Sequence, residues 1–267
     1  MKNTKPDASK AKPYLTGKPT DENTVKSALK FFGILLLVML MTFLVSSIAN
    51  VDNNVIRIII NVMVEFIILL IFYSKGADQG TEAVARGEIL YQHIEKGQDV
   101  AESERRIPFH WAKGYLIGLA GSLVFLVLAL VFLPSAQKQL TGAGMLPSWM
   151  ESYMRRTEVG DALVQYTQAS PVTFMDILRL IVRLSVMPFI SIAGTENKDL
   201  LLLMEKLSPL LVLLPAISFG TGYLQGPVRR TLIHTEIAKN TKKRISRERK
   251  ARKARAAREP KGPEQLN

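Results

Sequence analysis

Apolar residues in this chain come in long blocks, not at the short intervals that a soluble helix or strand shows. Residues 31–49 run for 19 positions without a charge. At about 1.5 Å per helical residue that is enough to cross roughly 30 Å of hydrocarbon. A second block covers 55–73, and a third, 114–133, is stopped by Pro134. A fourth fills 200–223 despite Glu205, Lys206, Pro209 and Pro215. The pattern predicts an all-α polytopic membrane protein with about four transmembrane helices. The first block is not read as a cleaved signal sequence, because its polar leader and its apolar run are both too long.

The polar stretches between the blocks divide the chain further. Residues 1–30 hold seven lysines with Pro6, Pro13, Gly17 and Pro19, and read as a basic leader without stable structure. Residues 74–113 form a polar loop whose first half reads as an amphipathic helix, with Ala83, Gly87, Leu90 and Ile94 on one stripe. Gly97 is expected to end that helix. The connector 134–172 carries Trp149, Tyr153 and Tyr166, which suits a loop at the membrane interface.

Segment 173–193 is the ambiguous one. Its apolar residues favour insertion by roughly 3–6 kcal/mol, whereas three central charges would cost about 7–10 kcal/mol. Those charges, Asp176, Arg179 and Arg183, recur every three or four residues and form one narrow face. The expectation is an amphipathic helix in the outer interface, or a re-entrant one, with that charged face in water. Were the segment buried instead, Glu205 would be the natural partner for Arg179 or Arg183.

Charge then orients the chain. Residues 224–267 carry 14 Lys/Arg against four acids, the larger part of a formal net charge of +12. With four spans and both ends inside, 27 Lys/Arg fall on the inner side and six on the outer. The bias of basic residues toward the cytoplasm therefore places both termini there, in a cell membrane. Arg229, Arg230, Lys242, Lys243 and Arg244 are expected to meet anionic lipid headgroups. RNA or ribosome contact through charge alone is the other polyanion reading, without base stacking, since no aromatic residue follows Tyr223.

Within the spans, Arg57, Asn61 and Glu65 are spaced by four and share one helix face. An ionisable group at midspan is costly unless paired or hydrated. Thr42, Ser46, Ser47 and Ser122 are its expected partners. Gly114, Gly118, Gly121 and Ser122 line one side of the third span and predict close helix packing, within the chain or in a homo-oligomer. Gly220 to Pro227 reads as a flexible helix exit with Tyr223 at headgroup level.

The chain has no cysteine, no His-Glu-x-x-His and no Gly-x-Ser-x-Gly, so neither a catalytic residue nor a metal or cofactor is expected. The layout of spans two to four, the 74–113 segment and the basic tail is similar to membrane insertases of the YidC type. Those combine a polar intramembrane groove, a cytoplasmic helical hairpin and a basic tail. The expected function is a non-catalytic scaffold, assembly or insertion-type module acting through helix contacts and charged cytoplasmic surfaces, with a protein partner. The rival expectation is a small proton- or cation-coupled transporter or channel subunit built on Glu65.

Overall fold

A computed structural model describes residues 12–48, 53–136, 156, 173–194 and 197–258. Every regular element among them is helical. In chain order these are α1 (Glu22–Ile48), α2 (Asn54–Glu95), the short α3 (Glu102–Arg105) and α4 (Lys113–Phe132). Then come α5 (Phe174–Ser185), α6 (Met187–Ala193), α7 (Lys198–Leu224) and α8 (Gly226–Arg258). Four of them, α1, α2, α4 and α7, are long and apolar enough to cross a membrane. This is a membrane-embedded all-α protein. Leu37, Leu40, Phe66, Leu123 and Val124 remain exposed on these helices, as lipid-facing side chains must.

The core lies where the four long helices meet. Phe31 and Leu35 of α1, Ile68 and Phe72 of α2, Ile117 and Phe125 of α4, and Phe219 of α7 are buried in one cluster. Phe31 stacks tilted on Phe72 and edge-on to Phe219, at 4.9 and 5.3 Å between ring centres. Glycine allows the close approaches. A β-carbon at Gly76 or Gly80 of α2 would collide with the backbone of Phe219 or Tyr223, and one at Gly222 with that of Tyr73. On α4, Gly114, Gly118 and Gly121 press on Tyr223, Ala216 and Phe31, so the predicted small-residue side packs within the chain. Ser122 is fully buried and donates to the Gly118 carbonyl at 2.8 Å.

Helix α2 is the longest element described. Its 42 residues span about 63 Å, twice what a bilayer needs, so its second half projects beyond the membrane. Asn53 caps its start by accepting from the Val55 and Ile56 N–H groups. Its far end closes on Gly97, whose φ of 75° suits a glycine that reverses the chain after a helix. The predicted polar loop is thus, in its first half, a continuation of the second span.

Two further expectations are corrected. The part of the leader that is described, residues 12–30, is held by hydrogen bonds and by α1, which begins at Glu22. Leu15 N–H donates to Gly87 O, Gly17 N–H to Phe109 O and Lys18 N–H to Arg106 O, so the leader runs along α2 and the segment before α4. Segment 173–193 is not one helix but two. Pro188 lacks the N–H that would continue the ladder, and the break falls at Val186, whose φ of −122° is not helical. Trp149, Tyr153 and Tyr166 of the connector lie outside the described residues.

Candidate functional site

The polar side chains of the membrane region gather at two places. The first is Glu205, about 10 Å along α7 from its start and only 1% exposed. Arg179 grips its carboxylate with two hydrogen bonds, Nε to Oε1 at 3.0 Å and Nη2 to Oε2 at 2.9 Å. Arg183 adds a third, Nε to Oε1 at 2.6 Å. Both arginines come from α5, one turn apart, so their four-residue spacing brings both onto a single carboxylate. The Arg179 guanidinium also lies over the Phe132 ring, 5.4 Å from its centre.

This overturns the solvated charged face expected for 173–193. Arg179 and Arg183 turn inward and are 12% and 19% exposed, while Leu178 and Val182 beside them pack on Ala129 and Phe132. Asp176 stands apart from the Glu205 hydrogen bonds. It is exposed and accepts from the Thr173 backbone and hydroxyl at 3.0 and 2.7 Å, capping α5.

The second place is the Arg57–Asn61–Glu65 face of α2, whose three members have separate surroundings. Asn61 is 1% exposed, accepts from the Ser46 hydroxyl of α1 at 3.2 Å and donates to Arg57 O at 2.8 Å. The guanidinium of Arg57 lies against Gly194, and its Nε is buried without a hydrogen-bond partner among the described residues. Glu65 borders a cavity of about 30 Å³ with Thr42, Ser185, Phe189 and Pro215. No cation faces it among the described residues. Of its expected partners, Ser46 binds Asn61, Ser122 bonds within α4, and Thr42 shares the cavity while donating to Met39 O.

Beyond the membrane, the projecting half of α2 and the start of α8 form a charged seam. Asp78 pairs with Arg229 at 3.0 Å. Glu88, buried, accepts two hydrogen bonds from Arg230 at 3.0 and 2.9 Å and lies 2.8 Å from His234 Nε2. Burial raises the Glu88 carboxyl, but the Arg230 and His234 bonds and charges outweigh it and hold the group below its usual range. Arg229 and Arg230 thus each engage a carboxylate of the same chain. Lys242, Lys243 and Arg244 are exposed.

Pairing along this seam is parallel: Gly80 meets Tyr223 and Gly226, and Glu88 meets Arg230 and His234. Both helices therefore leave the membrane in one direction, and α8 outruns α2.

A buried lysine fastens the same end. Lys113, 5% exposed at the head of α4, donates to Asp21 Oδ2 at 3.1 Å and to the carbonyls of Arg106, Ile107 and Pro108. Tyr223 is 1% exposed and stacks on Phe109 at 5.3 Å, so it sits inside the protein and not at the lipid surface. Sequence reasoning missed the Lys113 and Glu88 centres. The signal for Glu88 was its place on the Gly80–Gly87 side of α2, facing a helix too distant in sequence to pair by spacing.

No family model, no curated protein and no solved structure matches this chain, so the site itself has to carry the functional argument.

Proposed function

We propose that this protein is a non-catalytic membrane scaffold of the assembly or insertion type, which holds a rigid basic arm in the cytoplasm for an anionic partner. The observation that carries this reading is the seam between α2 and α8. Ion pairs at Asp78 and Glu88 fix the root of α8, while from Lys239 to Lys253 nine Lys/Arg stand against one acid. Such an exposed basic rod attracts a polyanion by charge, whether headgroups of the membrane or an acidic macromolecule. In the proposed orientation the seam, the leader and the arm lie in the cytoplasm of a cell-membrane protein, in keeping with the positive-inside bias.

Single cysteines in intact cells test the orientation: Asn53 should react with an impermeant reagent, and Gly97 and Ser246 only after lysis. A photo-crosslinker at Ile245 tests the role. It should give a discrete adduct that disappears when Lys242, Lys243 and Arg244 are changed to Gln. Labelling of Ser246 from outside, or crosslinking indifferent to those charges, would refute the proposal.

The rival reading, a proton- or cation-coupled transporter, draws on one observation. Glu65 is an intramembrane carboxylate that borders a small cavity and faces no cation among the described residues. That cavity has room for about one water molecule and is walled mainly by apolar side chains. A conduction path needs more polar lining than this, which favours the scaffold.

A further inference from the structure

A cavity of about 550 Å³ forms a cleft between α1 and the part of α2 just beyond the membrane. It belongs neither to the Glu205 cluster nor to the basic arm. Its floor is apolar, made by Phe31, Ile34, Ile117 and Phe219. Its rim is charged, and the charges do not balance. The three lining carboxylates each have a cation already: Asp21 has Lys113, Asp78 has Arg229 and Glu82 has Arg86. Lys26, Lys30 and Lys75 line the same cleft, exposed, with no carboxylate opposite them among the described residues.

Position gives that surplus its meaning. Lys26 and Lys30 are one turn apart on the same face of α1, and at Phe31 the helix turns apolar. Lys75 stands where α2 leaves its own apolar stretch. The three ammonium groups therefore sit at headgroup depth, above an apolar floor that continues into the span. A soluble anion would use the rim and leave the floor wet. Only an amphiphile with a negative head and a hydrocarbon tail satisfies both parts.

We propose that this cleft is a binding site for an anionic phospholipid, with its phosphate on Lys26, Lys30 and Lys75 and its acyl chain along Phe31 and Ile34. The cavity volume falls within the range of ordinary ligand sites. The Gln79 side chain, donating to the Ser27 hydroxyl, ties the two helices across the cleft.

The test uses the full-length protein in mild detergent, with bound lipid read by native mass spectrometry. Wild type should retain phosphatidylglycerol in preference to phosphatidylcholine. Each lysine near the surface contributes roughly fivefold in affinity, so Lys26→Gln, Lys30→Gln and Lys75→Gln together should weaken retention about a hundredfold. The melting temperature should hold, because all three side chains are exposed. Changing Lys242, Lys243 and Arg244 to Gln should leave the retained lipid in place, which separates this site from the arm. Glycerol phosphate should fail to displace the lipid. Undiminished retention by the Lys26, Lys30 and Lys75 variant would overturn the proposal. So would displacement by glycerol phosphate, which would mark a soluble-anion site, or loss of the lipid in the arm variant.

Discussion

Glu205 and Glu65 are both carboxylates within membrane-spanning helices, and their surroundings are opposite. Glu205 is held by three hydrogen bonds from two arginines and is almost wholly enclosed. Glu65 is half-buried beside a mainly apolar cavity, with no cation facing it among the described residues. A carboxylate locked between two guanidinium groups can neither move nor exchange an ion readily. One without a partner costs the fold little when changed and leaves its chemistry free. Glu205 is thus a structural fastener, and Glu65 is where any ion-binding role has to be tested.

The sharpest way to break this contrast is Glu205→Leu. It leaves Arg179 and Arg183 facing an apolar wall and should cost about 3–5 kcal/mol, read as a large drop in melting temperature in detergent micelles. Changing Arg179 and Arg183 to Met in the same protein should recover most of the loss, since no buried charge then stands alone. A Glu205→Leu protein as stable as wild type would show that the cluster fastens nothing.

Glu88 is an intermediate case, buried and paired but outside the membrane. Glu88→Gln should weaken the α2–α8 seam by ~2 kcal/mol, with α8 gaining protease sensitivity from residue 230 onward. Because its folded-state pKa is depressed, the pairing contributes fully above the ordinary carboxylate value of about 4.3. That contribution is lost as pH falls through the lower folded value. Acidification should therefore release α8 in the wild type and change little in Glu88→Gln. Equal pH dependence in both would assign the seam to other groups.

A smaller effect is expected at Ser46→Ala, which removes the donor to Asn61 and should cost ~1 kcal/mol, measured by the same melting assay. No change would mean that Asn61 is satisfied by its bond to Arg57 O alone.

The smallest effect is expected at Glu65→Gln. No hydrogen bond is lost among the described residues, so stability should shift by less than ~1 kcal/mol. Proteoliposomes should show no ion-dependent flux that the substitution abolishes. Normal folding with complete loss of a measured flux would end the scaffold reading and establish the transporter.

Much of the architecture was legible because a bilayer imposes length and polarity on each segment separately. The four spans follow from apolar runs, and the end of α2 from Gly97. The close-packed side of α4 follows from Gly114, Gly118 and Gly121. The pairing of Glu205 with Arg179 or Arg183 was visible as the alternative to an exposed face, but not as the outcome. Local spacing puts two arginines on one face of α5, whereas which way that face turns depends on α4 and α7. The same limit applies to Arg57, Asn61 and Glu65, whose common spacing suggested one site.

The sequence by itself determined the four apolar spans and the gathering of basic residues near the chain ends, since these depend on neighbours within a few turns. Tertiary structure decided which charges meet. Glu88 finds Arg230 and His234 more than 140 positions away, and Lys113 finds Asp21 92 positions back. It also carried α2 beyond the bilayer and made glycines in a polar stretch, Gly76 and Gly80, the contact points for α7. The physical reason is that burial fixes the partner of a charge. A buried charge takes whichever opposite group the packed helices bring within reach, and packing is a property of the assembled bundle, not of any one segment.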